Sequence, residues 1–203
     1  MALTIYGSPR SRTLRILWTA AELGLDYEHI PLAWDDPALK QPDFLKLNPA
    51  GTIPTIVDDG FALSESLAIN LYLAKTYGSE GAAPLYPRSA RDEAEAWRWS
   101  LWAQGHLEPW IQRDARAQPL RAAATPQLLS LVTGALVQLD QALVGRAWLV
   151  GEHFTVADLN VCAVLSPSRA QHLGLEPYPH VRAWLARCYG RPAAVATRRR
   201  FQG

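Results

Sequence analysis

The chain has 203 residues, enough for one large domain or two small ones that bury roughly 70% of the surface of the unfolded chain. Hydrophobic residues make up 49% and charged residues 19%, a globular balance that excludes a disordered chain. Twenty Lys and Arg against 19 Asp and Glu leave a net charge of +1, which excludes a general electrostatic attraction to nucleic acid or to an acidic membrane.

Leu3 to Tyr6 is a short β-prone run, broken by Gly7-Ser8-Pro9. From Thr13 to Leu23, Leu14, Leu17, Trp18 and Ala21 recur at helical spacing, and Gly24 is a natural stop. Tyr27 to Leu32 reads as a second strand, so a β-helix-β unit this short predicts a parallel pair with a right-handed crossover. Residues 33 to 50, punctuated by Pro37, Pro42 and Pro49, read as irregular. Thr55-Ile56-Val57 and Phe61-Ala62-Leu63 flank Asp58-Asp59-Gly60, a hairpin signal, and Ser64-Glu65-Ser66 opens a helix that continues through Leu67, Ile69, Leu71, Tyr72, Leu73 and Tyr77. This β-α-β, β-β-α order predicts a thioredoxin-like sheet over residues 1–80.

Residues 81–88 are rich in Gly and Pro and read as a linker. Beyond them strand signals vanish, and residues 89–203 are expected to form an all-helical domain, giving an α/β plus all-α architecture. Ser89-Ala90-Arg91-Asp92 reads as a capping box at the start of a long helix, which Pro109 should kink or break. Further helices are expected at Pro126 to Leu143, Val156 to about Ser166 and Pro179 to Tyr189, and Arg198-Arg199-Arg200 reads as a solvated tail.

Cys162 and Cys188 are too few for a disulfide framework or a cysteine metal site; in apolar, helix-like stretches they read as buried thiols of a reducing, cytoplasmic setting. The five histidines show no metal-ligand spacing, so no metal is expected. Leu3-Thr4-Ile5-Tyr6 runs straight into Arg10, Arg12 and Arg15, unlike a secretory leader, and the uncharged stretch from Ala122 to Leu139 is too polar to span a bilayer. The expectation is a soluble protein.

Three segments of the first half carry chemistry. Ser8-Pro9-Arg10-Ser11 lies between the first strand and the first helix, where unpaired N–H groups and the helix dipole stabilise an anion. A thiolate is such an anion: an ordinary thiol of pKa ~8.5 is only about 3% ionised at pH 7, and lowering it by about two units takes roughly 2.7 kcal/mol of differential stabilisation. Ser11 in a plain N-cap role is the alternative. In Asn48-Pro49-Ala50-Gly51-Thr52-Ile53-Pro54, the proline directly precedes a strand; it is trans, like most X-Pro bonds, or cis, which turns the Ile53 backbone outward to pair with a peptide. Ser64-Glu65-Ser66 offers N–H groups and the Ser66 hydroxyl to a carboxylate and Glu65 to an ammonium, or else simply caps its helix.

With these residues in place the chain resembles the glutathione S-transferase superfamily, since glutathione presents a thiol, a peptide backbone and an α-amino acid head. The resemblance covers essentially the whole chain, including Phe154-Thr155-Val156-Ala157-Asp158-Leu159, similar to the family's capping box and hydrophobic staple. It implies Ser11 as the catalytic serine with Ser8 as its competitor, Ile53 beside a cis-Pro54 against the cysteinyl backbone, and Glu65 and Ser66 on the γ-glutamyl end. It further implies Lys40 on the glycine carboxylate, with a solvated loop lysine as the alternative. Thr52 stands where some classes place Gln or Lys, a departure at one glutathione contact. No cysteine lies near residues 8 to 12, which argues against thiol transfer and disulfide reduction. Family geometry makes Arg10, Trp34, Trp102, His106, Trp110 and Arg113 candidates for the electrophile pocket. The function implied is a cytoplasmic, homodimeric glutathione transferase that joins glutathione, its co-substrate, to small hydrophobic electrophiles. The alternatives are a glutathione-dependent isomerase of the maleylacetoacetate type and a non-catalytic glutathione-binding or interaction module.

Overall fold

A computed structural model describes residues 2–112, 126–166 and 173–202. By contacts the chain divides into two units, one running to Gly81 and taking up the chain again from Arg191, the other spanning Ala82–Gly190.

In the first unit, β1 (Leu3–Tyr6), β2 (Glu28–Ile30), β3 (Thr55–Asp58) and β4 (Phe61–Ser64) form a sheet in the order β2-β1-β3-β4. β1 and β2 are parallel and the other neighbours antiparallel, with Ile5 opposite Ile56 and Ile56 opposite Leu63. The crossover helix α1 (Thr13–Leu23) stops at Gly24, whose φ of 62° is the left-handed conformation expected of a glycine stop. The buried stripe of α1 differs from the expected one. Ile16, Leu17 and Ala20 enter the core, whereas Leu14 is half-buried and Ala21 exposed, and Arg15 and Thr19 are buried with the apolar residues. α3 (Ser66–Tyr77) brings Ile69 and Leu73 onto the same core, alongside Leu3, Ile5 and Ile56. At the far end of β3 the Asp58 carboxylate accepts the Tyr72 hydroxyl at 2.8 Å and the Tyr77 hydroxyl at 2.7 Å. Burial first, and then the Asp58 carboxylate, push both phenols above their ordinary range.

Two expectations are corrected here. The segment read as irregular contains a 3₁₀ turn (Pro37–Lys40) and α2 (Pro42–Leu47), each begun by one of the prolines that punctuate the segment. Proline is pre-organised for a first helical position, where its missing N–H costs nothing. The basic terminus is not a free tail: it belongs to a helix, Pro192–Gln202, that packs on α1, with Ala194 and Thr197 buried, Phe201 on the core, and Arg199 and Arg200 exposed. Arg191 precedes it and donates to Glu22 of α1 through Nε and Nη2, both at 2.8 Å.

In the second unit, α4 (Ala90–Trp102) starts at Ser89, whose hydroxyl oxygen accepts the Asp92 N–H at 3.1 Å. The Asp92 carboxylate takes the Ser89 hydroxyl rather than closing the box on its N–H. Ahead of Pro109 the helix widens into a π turn at Ala103–Leu107 and resumes as α5 (Glu108–Gln112), so the expected disruption takes the form of a widened turn. α6 (Pro126–Ala142), α7 (Val156–Leu165) and α8 (Pro179–Tyr189) follow, and the terminal helix described above is α9 (Pro192–Gln202). The segment read as a linker is pinned within this unit. Leu85 O accepts the Val156 N–H at 2.8 Å, Pro84 O lies 2.9 Å from His153 Nε2, and Leu85 and Tyr86 are buried. Cys162 and Cys188 are free and buried. Among the described residues no helix is long and apolar enough to cross a membrane, and no group of His, Cys, Asp and Glu could hold a metal ion.

Candidate functional site

Gly7 follows β1 with a φ of 131°, and a Cβ there would lie 2.2 Å from Thr13 Oγ1 and 3.0 Å from Ile53 Cβ. Only glycine lets the β1–α1 turn close so tightly on the segment before β3. The Gly7 carbonyl also lies 2.9 Å from His29 Nε2, which ties β2 to the same turn. These contacts bring the first two expected segments together.

Within the turn the two serines differ. Ser11 Oγ donates to Ser8 O at 2.7 Å, lies 2.9 Å from Thr13 Oγ1 and accepts the Thr13 N–H at 3.2 Å. Its hydroxyl is thus engaged locally, in a cap-like arrangement. Ser8 Oγ accepts the Arg10 N–H at 3.2 Å, and among the described residues nothing takes its hydroxyl hydrogen. Both serines are half-buried and Arg10 is exposed.

The Ile53–Pro54 bond is cis. Asn48, buried, organises the loop before it. Its Nδ2 donates to Thr52 O (3.0 Å), Thr52 Oγ1 (3.2 Å) and Thr55 Oγ1 (3.0 Å), while its Oδ1 accepts the Ala50 N–H at 3.1 Å. Lys40, exposed, reaches this loop too, its Nζ donating to Gly51 O at 3.0 Å and Ala50 O at 3.4 Å. Gly51, at φ 59°, leaves room for it, since a Cβ there would sit 2.7 Å from Nζ.

At the start of α3 Glu65 is exposed and adopts φ 72°, ψ 108°, a region costly for any residue with a Cβ, and its side chain does not cap its own helix. Ser66 is buried and its Oγ accepts from Arg15 Nη1 at 3.1 Å. That bond joins α1 to the third expected segment. Arg15, Asn48 and His29 are the residues sequence reasoning missed. An arginine within an apolar helix and an asparagine before a proline turn were the available signals for the first two.

The residues expected around the electrophile pocket come from both units, Arg10 and Trp34 from the first and the others from the second. Trp34 is exposed in the first unit. In the second, Trp102 is a core residue, packed edge-on against Trp99 at 5.1 Å and donating through Nε1 to Gln138 Oε1 at 2.9 Å, and His106 is exposed in the π turn. Arg113 and the side chain of Trp110 lie outside the described residues.

Residues 1–75 match the family model of the glutathione S-transferase N-terminal domain, and residues 99–192 that of the C-terminal domain. The chain is 34% identical to glutathione S-transferase 3 of Zea mays, covering 96% of this chain and 92% of the relative. It is 32% identical to glutathione S-transferase D7 of Anopheles gambiae, covering 93% and 86%. Among solved structures, a glutathione S-transferase from Xanthobacter autotrophicus Py2 superposes with a TM-score of 0.78 at 30% identity, covering 94% of each chain.

Proposed function

The chain belongs to the glutathione S-transferase family and is an enzyme of that kind, and we propose that the Ser8 hydroxyl activates its substrate glutathione for attack on small hydrophobic electrophiles. The hydroxyl donates to the glutathione sulfur and holds it as thiolate. The thiolate then forms a carbon–sulfur bond, either by displacing a leaving group or by adding to an activated double bond that afterwards takes up a proton. The observation that carries this reading is the difference between the two serines: among the described residues nothing accepts the Ser8 hydroxyl, whereas Ser11 Oγ has Ser8 O at 2.7 Å and Thr13 Oγ1 at 2.9 Å beside it. The family resemblance ranks the two the other way round. Ser11 becomes a positioning residue that fixes the turn carrying Ser8.

In the same reading Ile53 pairs with the cysteinyl backbone beside Pro54, Thr52 borders that strand, and Glu65 and Ser66 receive the γ-glutamyl end. Lys40 reaches the glycine carboxylate from its seat on Gly51. A homodimer is supported by α4, where Trp97 and Leu101, one turn apart, are 51% and 69% exposed. A cytoplasmic setting is supported by the two free thiols.

The test is the ultraviolet absorbance of the thiolate of bound glutathione, titrated against pH in the wild type, Ser8→Ala and Ser11→Ala. Thiolate should form well below the ordinary thiol value of ~8.5 in the wild type and return toward it in Ser8→Ala. In Ser11→Ala it should stay low with weaker glutathione binding. A normal thiol in Ser11→Ala together with a lowered one in Ser8→Ala would reverse the assignment.

A further inference from the structure

Gly7 leaves β1 for the turn that carries both serines, and β2 holds its two backbone groups. Its N–H donates to Ile30 O at 2.9 Å, continuing the parallel β1–β2 ladder. In a regular parallel ladder the Leu32 N–H would come next and reach the Gly7 carbonyl. Here the Leu32 N–H turns back onto Ile30 O at 3.0 Å, and β2 ends at Ile30. The Gly7 carbonyl loses its ladder partner, and the His29 side chain replaces it, with Nε2 2.9 Å from the oxygen. A carbonyl only accepts, so Nε2 carries the hydrogen and donates it.

The imidazole is itself seated. His29 is half-buried in the middle of β2, opposite Ile5 of β1. The ring of Phe201, from α9, meets it nearly at right angles: the ring centres are 5.5 Å apart and the planes 86° apart. Phe201 lies against the core of the first unit, with the Arg200 guanidinium 5.1 Å from its ring centre. A side chain held between a backbone oxygen and a packed ring keeps one rotamer, so its hydrogen bond has a fixed direction.

That direction matters because of where the carbonyl sits. The Gly7 C=O and the Ser8 N–H belong to one planar peptide, so fixing the oxygen fixes the plane from which Ser8 starts. Glycine is required at this position, since a Cβ would collide with Thr13 Oγ1. At φ 131°, however, Gly7 has no Cβ to restrict the peptide plane, and His29 is placed to remove the freedom that the glycine introduces. We propose that His29 is a positioning residue for the transferase reaction: it fixes the Gly7–Ser8 peptide and so aims the serine hydroxyl of this turn at the glutathione sulfur. This rests on the turn supplying that hydroxyl; His29 acts through the turn and not on the sulfur.

The test compares His29→Gln and His29→Asn with the wild type. The Gln amide nitrogen lies as many bonds from Cα as Nε2 does and can reach Gly7 O, whereas the Asn amide stops one bond short. Both replacements are polar at a half-buried position, and denaturant unfolding should show both folded. With 1-chloro-2,4-dinitrobenzene as the electrophile, kcat of His29→Asn should fall about tenfold, since a small misplacement of a reacting group costs that much or more. The thiol of bound glutathione, followed by its ultraviolet absorbance, should titrate higher by about half a unit or more. KM for glutathione should change less than about threefold, because the groups proposed to hold the rest of the molecule are untouched. His29→Gln should recover most of kcat and the lowered thiol. Wild-type kcat and thiol titration in His29→Asn, or equal losses in both variants, overturns the proposal. Ser8→Ala and Ser11→Ala measured alongside separate it from the reading beneath it. A thiol raised in one of them but unmoved in His29→Asn overturns the role of His29 alone; a thiol unmoved in both overturns the role of the turn, and that of His29 with it.

Discussion

Helices α3 and α7 begin with similar chemistry and end up differently. Each start brings a hydroxyl and a carboxylate within a few residues, Glu65 with Ser66 in one case and Thr155 with Asp158 in the other. At α7 the polar groups close on one another. Asp158 is fully buried; its Oδ1 accepts the Leu149 N–H at 2.9 Å and the Trp184 Nε1–H at 2.8 Å, and its Oδ2 accepts the Thr155 N–H at 3.0 Å. At α3 the carboxylate faces solvent on a left-handed residue, and its side chain does not cap the helix. A start whose donors and acceptors satisfy each other serves the fold. One that holds a strained, outward carboxylate against its own conformational preference is available to a ligand.

The largest effect that tests this contrast is at Asp158. Asp158→Ala leaves the Leu149 and Thr155 N–H groups and the Trp184 indole without their acceptor in a dry interior, and should lower stability by about 3–5 kcal/mol in denaturant unfolding. A loss under about 1 kcal/mol would mean that the box is dispensable and the contrast false. The same residue has a pH signature. Burial pushes its carboxyl above the ordinary range, with the hydrogen bonds from Leu149, Trp184 and Thr155 working against that shift. The folded protein therefore holds this proton more tightly than the unfolded chain does. The contribution is full below the ordinary value of ~3.9 and is lost as pH rises through the raised one. A stability profile for Asp158→Asn should lack that decline; an unchanged acid limb would contradict it.

The same contrast explains what the sequence could and could not convey. Thr155 and Asp158, three positions apart, resemble the family's capping box, and Asp59-Gly60 reads as a hairpin turn, because both devices are local. Trp184 and Leu149, which complete the Asp158 site, lie in other segments, and no spacing rule connects them. Arg15 with Ser66 and Gly7 with Ile53 are likewise pairings made by the folded sheet. The choice between Ser8 and Ser11 rests on where one hydroxyl hydrogen goes, which composition and spacing do not encode. Helix α9 was missed because its apolar residues are sparse among Arg198, Arg199 and Arg200, and its burial depends on α1 being there to receive it.

At Glu65 stability and binding should move in opposite directions. Glu65→Gly relieves a left-handed backbone that costs of order 1–3 kcal/mol for a residue with a Cβ, less the added entropy of glycine, so a gain of about 1 kcal/mol is expected. Glutathione affinity should fall tenfold or more, because the carboxylate proposed to meet the ammonium is gone. Calorimetric titration with glutathione beside denaturant unfolding reads both. A variant that is less stable would show the conformation to be held by something other than ligand use. At the other end of the first unit, Arg191→Ala removes a bidentate ion pair whose carboxylate is largely buried, and should cost about 1–2 kcal/mol. The loss should be seen as faster amide exchange through α9, with α7 protection unchanged.

The smallest effect lies at the start of α4, which stands between the two extremes. Ser89 accepts the Asp92 N–H as Thr155 does that of its own third residue, but Ser89 is exposed, and water can replace the lost acceptor in Ser89→Ala. The expected cost is therefore about 0.5–1 kcal/mol, the ordinary value of a solvated cap. Thr155→Ala makes the matched measurement in a buried setting, where the Asp158 Oδ2 that already receives the Thr155 N–H also loses its hydroxyl neighbour at 3.3 Å. If burial is what separates a structural helix start from an accessible one, the second substitution must cost more than the first. Equal losses would place the difference in the capping geometry itself, and the exposure of Glu65 would then carry no weight in assigning α3 to the ligand.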